Sequence, residues 1–212
     1  MRTGLLLLSL SLSFCACAPR TVAPRSPLDA SSDVTGSYLR DRADEHWKRR
    51  EDPEFIRRAI VSLESLVALD PEDIRAWGRL SHAYYLLADL EPRESRKSKL
   101  HETGALVGER GVALAAGPSV GEDFDEAAAV AIPGSEEALY WTAANLARHA
   151  QVEGVASNLL LAPRVRALAG RVLQLDETWD HAAAHRLLGA VDAIAPPVAG
   201  GNLETSREHF LR

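Results

Sequence analysis

Two histidines four residues apart in "HAAAH", His181 and His185, are the first residues whose spacing could do chemistry. On a helix, positions i and i+4 share a face, and two imidazoles placed so can share a zinc ion. The pattern lacks the Glu that follows the first histidine in metalloprotease helices, and no third ligand is specified. Asp180 is adjacent but leaves the helix in another direction. The alternative is a pair of surface or groove histidines beside a small-residue packing face; no metal site and no cofactor is assigned. Serine, histidine and aspartate occur throughout, but no nucleophile elbow holds them. The carboxylates spread along polar faces without an isolated pair. No catalytic residue follows, and the chain does not read as an enzyme.

A second set is aromatic and amide. "SEEALYWTAANLARHA", residues 135–150, sets Tyr140 beside Trp141, with Asn145 a turn further on. Helical neighbours lie about 100° apart, so the two rings cannot meet at one point. Leu139, Ala143, Leu146 and Ala150 supply the core stripe and leave one aromatic at its edge. Asparagine mid-helix is mildly unfavourable, and if buried it needs a partner. Two readings follow. Either Trp141 packs on the next helix and Asn145 bonds a neighbouring backbone, or these residues line a cleft for a ligand or partner. The charge run "EPRESRKSK", residues 91–99, reads as a solvated helix start, with a partner contact as the sharper alternative. In "APPVAGGNLET", Gly200 and Gly201 permit positive φ and Asn202 can cap the following helix. No phosphate or dinucleotide loop pattern is present, so these three form a structural turn.

The elements that must position these residues are helical. The first residues, "MRTGLLLLSLSLSFCACAPR", carry one charge and an apolar run too short for the roughly 20 residues of a spanning helix. They read as a secretory signal. Both cysteines of the chain sit at its end. Cysteine at the first mature position is the pattern of a bacterial lipoprotein. Ala16 before Cys17 suits the peptidase better than Phe14 before Cys15, so lipidation is expected on Cys17, with 1–17 removed. Ala18 after it, rather than aspartate, favours the outer membrane. No later cysteine allows a disulfide framework. The net charge of −6, with basic and acidic residues interspersed, leaves no basic stripe for nucleic acid. Residues 18–32 read as a Pro/Ser/Ala-rich tether.

From residue 33 to 212 the pattern predicts one all-α domain. Ile56, Ala59, Ile60, Leu63, Leu66 and Val67 fall on one helical face, after Asp52 as cap and Pro53 at the first turn. "LDPED" then closes this helix, with Asp70 capping the next and Pro71 opening it. That next helix presents Ile74, Trp77, Leu80, Ala83, Tyr84 and Leu87, and Pro92 ends it. A similar unit returns with Val165, Leu168, Ala169, Val172 and Leu173, a break at Leu175-Asp176, then Trp179, Ala183, Leu187, Leu188 and Val191. "SLVALDPEDIRAWGRLSHAY" and "GRVLQLDETWDHAAAHRLLG" lie roughly three periods of 34 residues apart, so antiparallel helix pairs of degenerate tetratricopeptide-like repeats are expected. Between them, one helix should end near Ala116-Gly117. A short helix and a loop at Pro133-Gly134 should follow. "VEGVASNLLLAP" reads as a connector whose apolar part, Leu159 to Leu161, is buried.

"EALYWTAANLARHA", "RVLQLDETW" and "HRLLGAVDAIAPPVAGGNLETSREHF" together resemble the T component of tripartite ATP-independent periplasmic (TRAP) transporters. The marks are Tyr140-Trp141 with Ala144-Asn145, the Leu175-Asp176 break, the Gly189 helix, Pro196-Pro197, Gly200-Gly201-Asn202 and His209-Phe210, in order across roughly residues 47–210. The resemblance implies a helical, tetratricopeptide-like lipoprotein facing the periplasm. It also implies a ring-like homotrimer and a periplasmic solute-binding protein as partner. Family members usually continue with further helices after the Gly-Gly turn, where this chain stops at Arg212. The resemblance points to Tyr140, Trp141, Asn145, Arg186 and His209 as ligand or partner residues. The rival is an envelope scaffold that holds another protein and takes no ligand.

Overall fold

The computed structural model describes residues 32–118 and 124–212, and every regular element among them is a helix. The expected signal, the tether as far as residue 31, and both Cys15 and Cys17 lie outside the described residues. The first helices are α1, Ser32–Trp47, and α2, Pro53–Leu69. In α2 the six residues of the predicted stripe are all buried. Its start follows the sequence: Asp52 accepts from the Glu54 amide at 2.9 Å, and Pro53 occupies a position whose N–H would have had no partner.

The third helix, α3, Ile74–Asp89, starts later than "LDPED" suggested. Its cap is Asp73, which accepts from the Ala76 amide at 2.9 Å. Asp70 instead closes α2, its own N–H bonding the Leu66 carbonyl, while its carboxylate takes Arg40 of α1 at 3.0 Å. Pro71 stays in the turn, and its carbonyl accepts Trp77 Nε1 at 2.9 Å. Arg40 reaches both carboxylates, Asp73 at 3.4 Å as well, so position decides: Asp73 directly precedes the helix, whereas Asp70 lies three residues further back.

Next come α4, Glu94–Ala116, and α5, Phe124–Val130, then α6, Glu136–Glu153. Helix α6 is the hub, packing against both α3 and α4. Three glycines make this approach close. A Cβ on Gly104 would lie 2.6 Å from the Asn145 amide, one on Gly108 would lie 2.1 Å from Thr142 Oγ1, and one on Gly111 would touch Ala138 at 3.0 Å. Ser81 of α3 donates to the Gly104 carbonyl at 2.8 Å across the same seam.

The C-terminal part holds α7, Val155–Leu175, and α8, Trp179–Ile194. A 3₁₀ turn, Pro197–Ala199, and α9, Leu203–Phe210, complete it. The predicted connector is in fact the first half of α7. Gly154, at φ +102°, reverses the chain, and Asn158 Nδ2 donates back to the Ala150 and Gly154 carbonyls at 3.2 and 3.0 Å. That backbone reversal lets the helix begin at once. Leu161 is partly buried, but Leu159 is exposed and Leu160 is 77% exposed, so the apolar run is not covered as expected. Beyond it, Val165, Leu168, Ala169 and Val172 are buried as expected. They join Leu139, Ala143 and Leu146 of α6 and Leu188 of α8 in one core, while α1 to α3 share a second with Val107 of α4.

The shared face proposed for His181 and His185 does not form as a regular helical stripe. Asp180, His181 and Ala182 have φ of 45°, 58° and 59°, so the first turn of α8 is left-handed and regular geometry starts after it. The Gly-Gly turn matches its reading in part: Gly200 has the positive φ, +78°, but Gly201 does not and is required by space instead, since a Cβ on it would fall 1.7 Å from the Ala195 carbonyl oxygen. Asn202 Oδ1 caps α9 by accepting from Glu204 and Thr205.

Candidate functional site

Small residues on α6 and α8 leave a space between them. Ala144, Ala147 and Ala150 face Leu187, Ala190 and Val191, with Ala162 and Val165 of α7 behind and Ile194 to Pro196 at the far side. The cavity holds about 260 Å³ and is mostly apolar. Its polar groups are few: Tyr85 from α3, Tyr140, Arg148 and Gln151 from α6, and Asn158 from α7.

Aromatic contacts fix the two tyrosine rings. Tyr140 sits edge-on to Trp141 at 4.9 Å and tilted against Trp179 at 5.2 Å. Tyr85 lies against His101 at 5.3 Å and Trp141 at 5.1 Å. Burial pushes the Tyr140 hydroxyl up to about 12. The same cause, helped by the charge of Asp89, raises that of Tyr85. Both therefore remain neutral donors at physiological pH. No described residue hydrogen-bonds either hydroxyl. Arg148 is differently placed: it pairs with Asp89 at 3.1 Å and donates to Gln151 Oε1 at 2.8 Å.

Of the five residues expected to meet a ligand or partner, only Tyr140 lines this cavity. Trp141 turns the other way and stacks on His82 of α3, with ring centres 3.5 Å apart and planes 15° from parallel. Asn145 is fully buried in the seam of α3, α4 and α6. Its Nδ2 donates to the Ser81 and Trp141 carbonyls at 3.0 and 2.9 Å, and its Oδ1 lies 3.0 Å from His101 Nδ1. That network satisfies the buried amide, as a core residue requires. Since Oδ1 accepts, His101 carries its proton on Nδ1, and its buried Nε2 has no partner. Burial keeps His101 below its ordinary 6.5.

Arg186 is exposed and donates to the carbonyls of Asp180 and His181. His209 of α9 meets His185, their Nδ1 atoms 2.8 Å apart, and His185 Nε2 lies 3.1 Å from Glu177. Burial, then the neighbouring His185, lowers His209 from its usual range. Among the described residues no group of three or more His, Cys, Asp or Glu is placed to hold a metal ion. Glu177 approaches the side of His185 opposite to His209, so these three do not converge.

Sequence reasoning missed Tyr85, Arg148 and Asn158, which come from three helices and share no motif. The available signal was the row of alanines at 144, 147 and 150, three residues apart on one helix, facing Ala190.

The cavity lies, apart from Tyr85, within a stretch that other proteins share. The model of a family described as TRAP transporter T-component matches residues 111–212. Residues 111–212 are similar to the T-component family. The matched stretch runs from the end of α4 to the last residue. It takes in Tyr140-Trp141, Asn145, the Leu175-Asp176 break, the Gly-Gly turn and His209. No curated protein matches the chain. The family is one of transporter components, consistent with an association with the cell envelope. No helix of the described residues is long and apolar enough to cross a membrane.

Proposed function

We propose that this protein is a lipid-anchored accessory of a TRAP-type transporter, docking a periplasmic solute-binding protein and offering its cavity to a small ligand. One observation carries the reading: the apolar cavity is built almost wholly from the stretch that matches the family. In this account Tyr140 touches the ligand and Trp141 and Asn145 hold the helix that bears it. Exposed Arg186 and partly buried His209 lie on α8 and α9, outside the cavity, and contact the partner. The helix pairs α2–α3 and α7–α8 are read as tetratricopeptide-like units, and three copies of the chain as the assembly that meets the partner.

The lipid on Cys17 holds the domain at the periplasmic face of the envelope, in the outer membrane. Cys17→Ser should move the protein from the membrane to the soluble periplasmic fraction and abolish incorporation of labelled fatty acid, whereas Cys15→Ser should change neither. Docking is tested by mixing the purified chain with the solute-binding protein of the same transporter in analytical ultracentrifugation. A complex that Arg186→Glu weakens supports the reading, and no complex at micromolar concentrations removes it.

A further inference from the structure

The cavity itself narrows the ligand. We infer that it takes a small neutral molecule, an apolar body carrying one hydrogen-bond-accepting head such as a ketone or ester, and not an organic anion. The inference rests on the reading of this cavity as the ligand's place and adds the class of ligand to it.

Three features on its walls decide the class. The first is size. A cavity of 150 Å³ admits benzene, so about 260 Å³ suits a molecule of roughly ten non-hydrogen atoms. The second is the unmatched polar inventory. Tyr85 and Tyr140 are partly buried on the cavity wall, with rings held by aromatic neighbours and hydroxyls that no described residue meets. Two neutral donors on an apolar wall fit an acceptor on the ligand. The third is charge. Among the described residues the one cation lining the cavity is Arg148, whose charge is paired with Asp89 at 3.1 Å through Nη2, although its buried Nε, which is shut off from the open space, has no partner. A bound carboxylate would therefore bring a net negative charge into an apolar space without a free counter-ion, and burying such a charge is costly. A neutral head incurs no such cost.

The test is calorimetric titration of the purified full chain at about pH 8 with two probes of nearly equal size, 2-octanone and octanoate. The account expects 2-octanone to bind and octanoate to bind at least tenfold more weakly. Ala147→Leu, which fills the cavity from the α6 side, should abolish binding of 2-octanone. Tyr140→Phe, which keeps the ring and removes the donor, should weaken it about five- to tenfold, as the loss of one hydrogen bond implies. Octanoate binding as tightly as the ketone, no ketone binding, or unchanged affinity in either variant would overturn the inference. Because the titration uses the chain alone, such a failure leaves docking to the solute-binding protein standing. Failure to dock, with ketone binding intact, leaves the ligand class standing.

Discussion

At the scale of single residues the seam between α3, α4 and α6 is the most constrained place in the molecule. Gly108 meets Thr142 and Ser81 so closely that a methyl group has no room. Gly108→Ala should destabilise the protein by about 2 kcal/mol or more through overpacking. Gly170 is the control: it sits inside α7 with nothing within 4 Å of its would-be Cβ. Gly170→Ala should stabilise by roughly 0.5–1 kcal/mol, by removing backbone freedom from the unfolded chain. Urea unfolding of the two variants beside the parent checks both signs. His101 adds a dependence on pH. Burial holds it below 6.5, so the unfolded chain takes up that proton more readily than the folded one. Its contribution is present above about 6.5 and is lost as pH falls towards the folded value. His82, lowered by burial against the pull of Glu137, acts in the same direction. Glu109, raised above 4.5 by burial, opposes them at more acid pH. The thermal midpoint should fall between about pH 7.5 and about 5.5, and His101→Gln should flatten that fall. An equal slope in the variant would contradict the assignment.

At the scale of elements the legible part was wherever one periodicity met one terminator. The α2 stripe with its Asp52-Pro53 start, the end of α4 at Ala116-Gly117 and the Leu175-Asp176 break all appear as read. What failed was choice among equivalent signals. Asp70 and Asp73 are both plausible caps, and since Arg40 on α1 pairs with both, only the place where helical geometry resumes, at Ile74, decides between them. "VEGVASNLLLAP" reads as a connector because Gly154 and Pro163 bracket it, yet Gly154 reverses the chain and Pro163 is carried inside α7. The cavity was hidden for a related reason: its walls come from four helices, and an alanine facing a void looks in sequence like an alanine facing a helix. The C-terminal helix supplies a test at this scale. Helix α9 is held by the Asn202 cap, by Ser206 Oγ donating to the Gly189 carbonyl at 2.8 Å, and by Phe210, whose ring lies within 3.0 Å of where a Gly189 Cβ would stand. All three depend on the turn at Gly201. Gly201→Ala should release α9 alone, so that amides of residues 203–211 lose hydrogen-exchange protection while those of α4 and α6 keep theirs. Unchanged protection in α9 would show that the turn is not what holds it.

At the scale of the whole molecule, one stretch of chain carries the family match, the hub helix and nearly all of the cavity. The N-terminal helices enter the site through Tyr85 and through the α3 face on which Trp141 stacks. On the proposed reading, the matched part would hold the ligand and the preceding part would buttress it. The most direct measurement is affinity purification of the tagged protein from detergent-solubilised envelopes, with mass spectrometry of what accompanies it. The account predicts recovery of a periplasmic solute-binding protein of a TRAP transporter, lost when the tag is placed on an Arg186→Glu chain. Repeated recovery of other envelope proteins, with no solute-binding protein among them, would contradict it.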